Sequence, residues 1–121
     1  MDLKSKIREI PDWPKPGVNF KDITTLLENK DTFREAINLL AAPFSGQLID
    51  KVVGIDARGF LLAAPVAYVL NSGLAIVRKK GKLPSSSIGQ EYALEYASDT
   101  IEMHDDAIKP DEKVILIDDL C

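Results

Sequence analysis

The sequence predicts an α/β domain built around a parallel sheet. Residues 51–55, 74–79 and 114–118 are short apolar runs typical of buried strands. Between the first two runs, residues 60–70 are too long and too rich in Ala and Leu for a strand, and they predict a buried helix with Pro65 in or near its first turn. A strand, a helix and a second strand in this order form the unit that builds parallel sheets. The 121 residues, 45% of them hydrophobic, suit one globular domain.

The part of the chain that precedes the sheet is predicted to hold two helices around a proline-rich segment. Residues 2–9 predict a short amphipathic helix. Residues 11–17, PDWPKPG, end it, because three prolines and a glycine force an extended, turning course. A longer helix is expected to begin at Asp31 or Thr32, where Thr32 and Glu35 fit a capping box.

A hairpin is predicted between the second and third strands of the sheet. Residues 82–90, KLPSSSIGQ, are polar and rich in chain breakers, which predicts a mobile segment. Residues 91–97 and 100–104 alternate apolar and polar side chains, as the two strands of a hairpin do.

Charge and cysteine content narrow the class of protein. The net charge of -4 argues against nonspecific binding to nucleic acid, which requires a basic surface. No apolar run reaches the roughly 18 residues of a membrane span. The single cysteine, Cys121, cannot form an internal disulfide. We therefore expect a cytoplasmic protein that binds neither nucleic acid nor membrane.

Three polar groups follow the three predicted strands. They are DARG at 56–59, RKKGK at 78–82 and DDLC at 118–121. Because the carboxyl ends of parallel strands meet at one edge of a sheet, these groups predict a ligand with phosphate at one end and hydroxyls or a metal at the other. Taken alone, RKKGK is more often a solvated basic turn than a ligand site, and a helix cap or solvated loop explains the Asp-Asp pair equally well.

The sequence resembles the adenine phosphoribosyltransferases, which are type I phosphoribosyltransferases, across essentially its whole length. The matching stretches are PKPGVNFKDIT (14–24), VVGIDARGFLLAAPVA (52–67), VRKKGKLP (77–84), YALEY (92–96) and VILIDDL (114–120). The resemblance implies a parallel-sheet phosphoribosyltransferase core with a flexible lid hairpin and an N-terminal hood. It divides a single structural domain into a hood and base-binding segment (1–30) and a core (31–121) whose sheet is incomplete at residue 121.

The resemblance also implies a reaction of purine salvage. Adenine would displace pyrophosphate from phosphoribosyl pyrophosphate through a ribosyl-cation-like transition state and give AMP. Such a glycosyltransferase is expected to be a homodimer and to use Mg²⁺ held by the diphosphate. In the family, VILIDDL continues into a loop of the Thr-Gly-Gly-Thr type that cradles the 5′-phosphate. The 121 residues by themselves are therefore expected to be inactive.

Site residues follow from the resemblance, position by position. It assigns catalytic roles to Glu95, Asp118 and Asp119, with the two aspartates below the ribose and Glu95 as the proton partner of adenine N7. It assigns the substrate-binding roles to Asn19, Phe20, Lys21, Asp56, Ala57, Arg58, Gly59, Arg78, Lys82 and Tyr96. The loop after the first strand is expected to carry a non-proline cis peptide at Asp56–Ala57.

Base choice is expected to come from VNFKD, residues 18–22. Phe20 would stack on the purine, and backbone groups of Asn19 and Lys21 would pair with its edge. The family commonly has Val-Phe-Arg here, so the side chains of Asn19 and Lys21 are departures. Trp13 is expected to pack the N-terminal segment onto the core.

Three other readings stay open from the sequence. A regulatory protein could bind phosphoribosyl pyrophosphate without catalysis, although such proteins usually add a DNA-binding domain. A transferase for another base, such as xanthine, would share most of these motifs. The third is an inert fragment, because the phosphate loop is absent. We expect His104 to be structural or exposed and Cys121 to be neither nucleophile nor metal ligand.

Overall fold

The computed structural model describes residues 2–79, 83, 87–93 and 98–118. These residues form two compact units, Met1–Leu40 and Ala41–Cys121. The division at residue 30 that the resemblance implies stays a prediction. No helix in the described part of the chain is long and apolar enough to cross a membrane.

The N-terminal unit contains a two-stranded sheet followed by two helices. Strands β1 and β2 pair antiparallel, with Glu9 opposite Lys21, and the elements in chain order are β1 (Arg8–Ile10), β2 (Phe20–Asp22), α1 (Thr24–Leu27) and α2 (Lys30–Ala41). The predicted helix at residues 2–9 was wrong. Only a 3₁₀ turn forms there, and the residues after it pair with β2. A strand partner twelve residues further along the chain thus overrides the local helical pattern.

Helix α2 begins one residue before the two predicted caps. The side-chain oxygen of Asn29 accepts hydrogen bonds from the N–H groups of Asp31 (2.9 Å) and Thr32 (3.1 Å), which makes Asn29 the cap. Thr32 lies inside the helix, and its buried hydroxyl donates to the carbonyl of Leu26 at 2.5 Å. The predicted capping box therefore does not form.

The second unit is a mixed five-stranded sheet in the order β5-β6-β4-β3-β7. Its elements are β3 (Lys51–Ile55), α3 (Arg58–Leu70), β4 (Gly73–Lys79), β5 (Ser87–Ala93), β6 (Ser98–His104) and β7 (Val114–Ile117). Strand β3 pairs in parallel with both β4 and β7, which confirms the predicted α/β class and its three parallel strands.

Side-chain alternation along β3 divides the core of this unit between the two faces of the sheet. Val52 is fully buried, as is Val66 of α3, and a Cβ added to Gly54 would lie 2.7 Å from that of Ala63. Helix α3 therefore packs closely against this face of the sheet. Val53 faces the other side, in a cluster with Ala75, Val77, Ile55, Ile101, Met103, Ala107 and Ile108.

Two predicted details of this unit were wrong. Pro65 is the eighth residue of α3 and lies in its interior, because the helix begins at Arg58 instead of Phe60. Strand β5 begins at Ser87, so the end of the polar segment at 82–90 is strand instead of loop. Its pairing with β6, from Ser87 opposite His104 to Ala93 opposite Ser98, confirms a hairpin.

A polar clamp joins the amino-terminal ends of β3 and β7. The Nζ of Lys51 lies 2.6 and 2.8 Å from the two carboxylate oxygens of Glu112, and the N–H of Lys109 donates to the same carboxylate at 2.6 Å. The Lys109 N–H and the Lys51 ammonium lower the pKa of Glu112. This clamp lies at the edge of the sheet opposite the strand ends discussed next.

Candidate functional site

The turn from β3 to α3 is the first component of the site. The peptide bond between Asp56 and Ala57 is cis, which confirms the expectation at this position. Helix α3 starts at Arg58 directly after the turn, and no described side chain caps it. Uncapped N–H groups at a helix start favour an anionic ligand, and Gly59 lets a neighbouring group approach the backbone closely.

Asp56 connects this turn to the end of β4. Its backbone N–H donates to the carbonyl of Val77 at 2.8 Å, and its carboxylate accepts the N–H of Lys79 at 3.2 Å. The same carboxylate oxygen lies 3.7 Å from Nε of Arg78, and the Asp56 side chain is only 9% exposed. These contacts hold the end of β4, which carries Arg78 and Lys79, against the turn that follows β3.

Arg78 has a donor without an acceptor. Its buried Nε makes no hydrogen bond with any described residue, and the 3.7 Å to Asp56 exceeds hydrogen-bond length. A buried donor left unpaired costs about 1–3 kcal/mol, so such a group is rare without a reason. An anion bound at this edge of the sheet would supply the missing acceptor.

Asp118 follows β7 and lies against the start of α3. A Cβ placed on Gly59 would be 3.0 Å from Oδ1 of Asp118 and 3.0 Å from the carbonyl of Ile117. The absence of a side chain at position 59 therefore makes room for the carboxylate. The structure brings together Asp56, Ala57, Arg58, Gly59, Arg78 and Asp118, which are the predicted site residues of the second unit that it describes.

Four predicted site residues lie outside the described residues. They are Lys82, Glu95, Tyr96 and Asp119. Their assigned roles therefore stay predictions.

The predicted base segment lies in the N-terminal unit, on β2 and the residue before it. The rings of Trp13 and Phe20 meet edge to face, with centroids 4.6 Å apart and planes at 67°. Trp13 is 49% exposed, and the expectation that it packs the N-terminal segment onto the core stays a prediction. The N–H of Trp13 donates to the carbonyl of Val18 at 3.0 Å and closes the proline-rich loop.

The two departures from the family pattern share one partner. Hydrogen bonds from the side chains of Lys21 and Asn19 lower the pKa of Glu9, and Lys21 also forms an ion pair with it. Both side chains are thus held by the neighbouring strand β1.

Sequence reasoning missed Asp22, a buried acid at the end of β2. Its carboxylate accepts hydrogen bonds from the hydroxyl (2.6 Å) and N–H (3.0 Å) of Thr24 and forms an ion pair with Arg8 at 2.7 Å. The Thr24 hydrogen bonds, with a smaller effect of Arg8, lower the pKa of Asp22 to about 2. An Asp two residues before a Thr at a helix start is an Asx-type signal that reading DIT would have found.

The second unit has the features of an α/β protein that binds a phosphorylated ligand. The start of α3, the buried Nε of Arg78 and the carboxylate of Asp118 lie at the carboxyl edge of parallel strands, where α/β proteins bind small ligands. Their chemistry suits a phosphorylated ligand with hydroxyl groups. Among the described residues, no three His, Cys, Asp or Glu side chains come together to hold a metal ion.

Comparison with known proteins narrows the class further. Residues 22–121 match the family described as "Phosphoribosyl transferase domain". The chain is 57% identical over 119 residues to an adenine phosphoribosyltransferase of Rhodopseudomonas palustris, covering 98% of this chain and 60% of that protein. It belongs to the phosphoribosyltransferase family.

Solved structures agree with this assignment. An adenine phosphoribosyltransferase from Rhodothermus marinus matches with a TM-score of 0.87 and 51% identity, over 94% of this chain and 65% of that one. The enzyme from Giardia lamblia, complexed with 9-deazaadenine, matches with a TM-score of 0.91 and 34% identity, over 95% and 64%. This chain therefore spans about three fifths to two thirds of the length of these relatives.

Proposed function

We propose that the chain carries the base, pyrophosphate and ribose sites of an adenine phosphoribosyltransferase. The reaction forms a bond between N9 of adenine and C1′ of phosphoribosyl pyrophosphate, and the bond from C1′ to the pyrophosphate oxygen breaks. The observation that carries the proposal is the contact of Asp118 with the start of α3 at Gly59. In the proposed site, a carboxylate that binds the ribose would lie beside a helix start that binds an anion.

The pyrophosphate end of the ligand would lie at the turn between β3 and α3. Arg58, the first residue of α3, and the N–H groups around Ala57 and Gly59 would hold its oxygens. Arg78 supports this placement because its buried Nε has no acceptor among the described residues. Lys82 would complete the set from the lid. Cationic donors fixed here stabilise the charge that develops on the leaving group.

The ribose would lie above the end of β7. Asp118 and Asp119 would accept hydrogen bonds from its 2′- and 3′-hydroxyls, and their charge would favour the positive ring of the transition state. Lid residues Glu95 and Tyr96 would close over the ribose and exclude water, with Glu95 at adenine N7.

Adenine would stack on Phe20 and pair with the backbone of Asn19 and Lys21. Adenine presents an acceptor at N1 and a donor at N6, whereas 6-oxopurines present the reverse. A fixed backbone donor and acceptor would therefore reject hypoxanthine and guanine, because buried polar groups would stay unpaired. The side chains of Asn19 and Lys21, held by Glu9, support recognition through the backbone alone.

Mg²⁺ would be held by the diphosphate oxygens, and Asp118 is a described carboxylate beside the helix start. When bound, it would neutralise charge on the leaving pyrophosphate. A homodimer is supported by apolar side chains that α3 leaves exposed, including Leu61 (49%) and Tyr68 (88%). A single cysteine in 121 residues supports a reducing compartment such as the cytoplasm.

The test measures pyrophosphate release from phosphoribosyl pyrophosphate with adenine, hypoxanthine, guanine or xanthine. It uses this chain alone and a completed protein, in which the chain is joined to the remaining segment of the Rhodopseudomonas palustris relative. We expect release by the completed protein with adenine only. Release with xanthine would favour the transferase for another base, and binding without release would favour the regulatory protein.

A further inference from the structure

The carboxylate of Asp22 ties three elements of the N-terminal unit together. Its Oδ2 accepts from Nε of Arg8 on β1 at 2.9 Å and lies 2.7 Å from Nη2 of the same guanidinium. Its Oδ1 accepts from the N–H and hydroxyl of Thr24, the first residue of α1. The acid itself ends β2, so each oxygen fixes that strand to a different neighbour.

A second set of contacts closes the same junction. The hydroxyl of Thr25 donates to the carbonyl of Lys6 at 2.6 Å and accepts the N–H of Arg8 at 3.2 Å. The backbone at the start of β1, the strand that pairs with β2, is therefore held by a side chain of α1. Asp22 is only 8% exposed, which removes its carboxylate from competition with water.

The anchored strand is the one that carries the predicted base contacts. Phe20 and Asp22 lie two residues apart, so their side chains share one face of β2, whereas Lys21 points to the other face and pairs with Glu9. A displacement at Asp22 would therefore move both the ring that stacks on the base and the backbone that pairs with it.

We propose that Asp22 is a positioning residue of the base site, acting through Arg8 and Thr24 to hold Phe20 and the backbone of Lys21 in register with the purine. The assignment rests on the proposed function. Asp22 touches no part of the substrate, and its effect is on base affinity and selectivity. A residue that only stabilised the unit would change the unfolding temperature and leave the affinity of the folded protein for adenine unchanged.

Trp13 supplies the measurement. It is the single tryptophan of the chain, half-exposed and in ring contact with Phe20, so a base stacked on Phe20 changes its fluorescence. The 121-residue chain is titrated with adenine and with hypoxanthine at a temperature where every variant is folded by circular dichroism. Pyrophosphate affinity is measured in parallel by calorimetry, since its predicted residues lie in the other unit.

Two variants break the contact from opposite sides. Asp22→Asn keeps an acceptor for Thr24 and places an amide against Arg8, whereas Arg8→Gln changes a half-exposed side chain and leaves Asp22 with its Thr24 hydrogen bonds. We expect each to weaken adenine binding by roughly tenfold, since an unpaired buried group has about this effect. The double variant is expected to lose no more than the weaker-binding single one. Asp31→Asn, on an exposed acid of α2, is the matched control and keeps wild-type affinity.

The outcomes separate the two proposals. Adenine affinity within twofold of wild type in Asp22→Asn overturns the positioning role, as does an equal loss of pyrophosphate affinity. If Asp22→Asn does not fold, Arg8→Gln decides by the same criteria. A wild-type chain that binds hypoxanthine as well as adenine removes the proposed function, and this assignment with it.

Discussion

Gly59 and Asp118 approach each other closely, although they lie 59 positions apart in the sequence: a Cβ at Gly59 would lie 3.0 Å from Oδ1 of the acid. The first turn of α3 and the end of β7 thus form one surface. Because Gly59 has no side chain, the start of α3 and the carboxylate of Asp118 are close enough to act on neighbouring groups of one ligand.

This contact predicts that Gly59→Ala is destabilising. The added methyl group would meet a carboxylate oxygen and two backbone atoms of residues 117 and 118 at 3.0–3.3 Å, so β7 or α3 must shift. We expect a loss of about 1–3 kcal/mol in the free energy of unfolding, measured by chemical denaturation. Gly73→Ala is the control, because its Cβ has ordinary contacts at 3.4 Å or more. Equal stability of the two variants would contradict the close approach.

Arg58→Ala is expected to weaken pyrophosphate binding and to leave adenine binding unchanged. Loss of one charge-assisted contact reduces the binding free energy by about 1.5–3 kcal/mol, a factor of roughly 10 to 100. Calorimetric titration of the chain with pyrophosphate measures it, with Arg34→Ala on the exposed side of α2 as the control. An unchanged pyrophosphate affinity would remove Arg58 from the site.

Asp118→Asn is expected to lower the turnover of the completed protein by about 100-fold without unfolding it. The acid follows the last residue of β7 and is only partly buried, so the amide fits the same space, but the negative charge below the ribose is lost. Steady-state rates with saturating substrates give the comparison. Asp119→Asn is predicted to act in the same direction. A variant that keeps full turnover would exclude its carboxylate from catalysis.

The N-terminal unit is expected to lose stability in acid through Asp22. The pKa of this carboxyl is lowered from 3.8 to about 2 in the folded chain, so its contribution is fully present above pH 3.8 and disappears as the pH falls toward 2. The shift corresponds to about 2 kcal/mol at neutral pH. Unfolding followed through Trp13 should show wild type more stable than Asp22→Asn at pH 7 and equal to it near pH 2. If the two proteins still differ in stability at pH 2, the loss in Asp22→Asn would come from the different side-chain geometry and not from the lost carboxylate charge.

Much of the sheet could be predicted from the sequence because each strand is indicated by the side chains of its own few residues. Residues 51–55 and 114–117 are mostly apolar and rich in β-branched side chains, a composition that favours a strand over a helix. The polar groups after these strands were predictable for the same reason, because strand direction fixes the edge at which they meet. The cis peptide at Asp56–Ala57 followed from the resemblance, not from any local pattern.

The N-terminal unit could not be predicted in the same way because its structure depends on contacts between residues far apart in the sequence. Arg8 and Asp22 are 14 residues apart, on opposite sides of a proline-rich loop, and nothing in residues 2–9 alone favours a strand over a helix. The prediction of the cap of α2 was wrong for a similar reason. Asn29 and Thr32 both suit a helix start, and the choice depends on Thr32 being buried against Leu26.

The central claim is tested most directly by a competition between two bases. The completed protein is given phosphoribosyl pyrophosphate, Mg²⁺ and equal concentrations of adenine and hypoxanthine, and the AMP and IMP formed are separated and counted. Recognition of the purine edge by the backbone of Asn19 and Lys21 predicts AMP in excess over IMP by about 10⁴-fold or more. Comparable amounts of the two nucleotides, or IMP alone, would contradict the account.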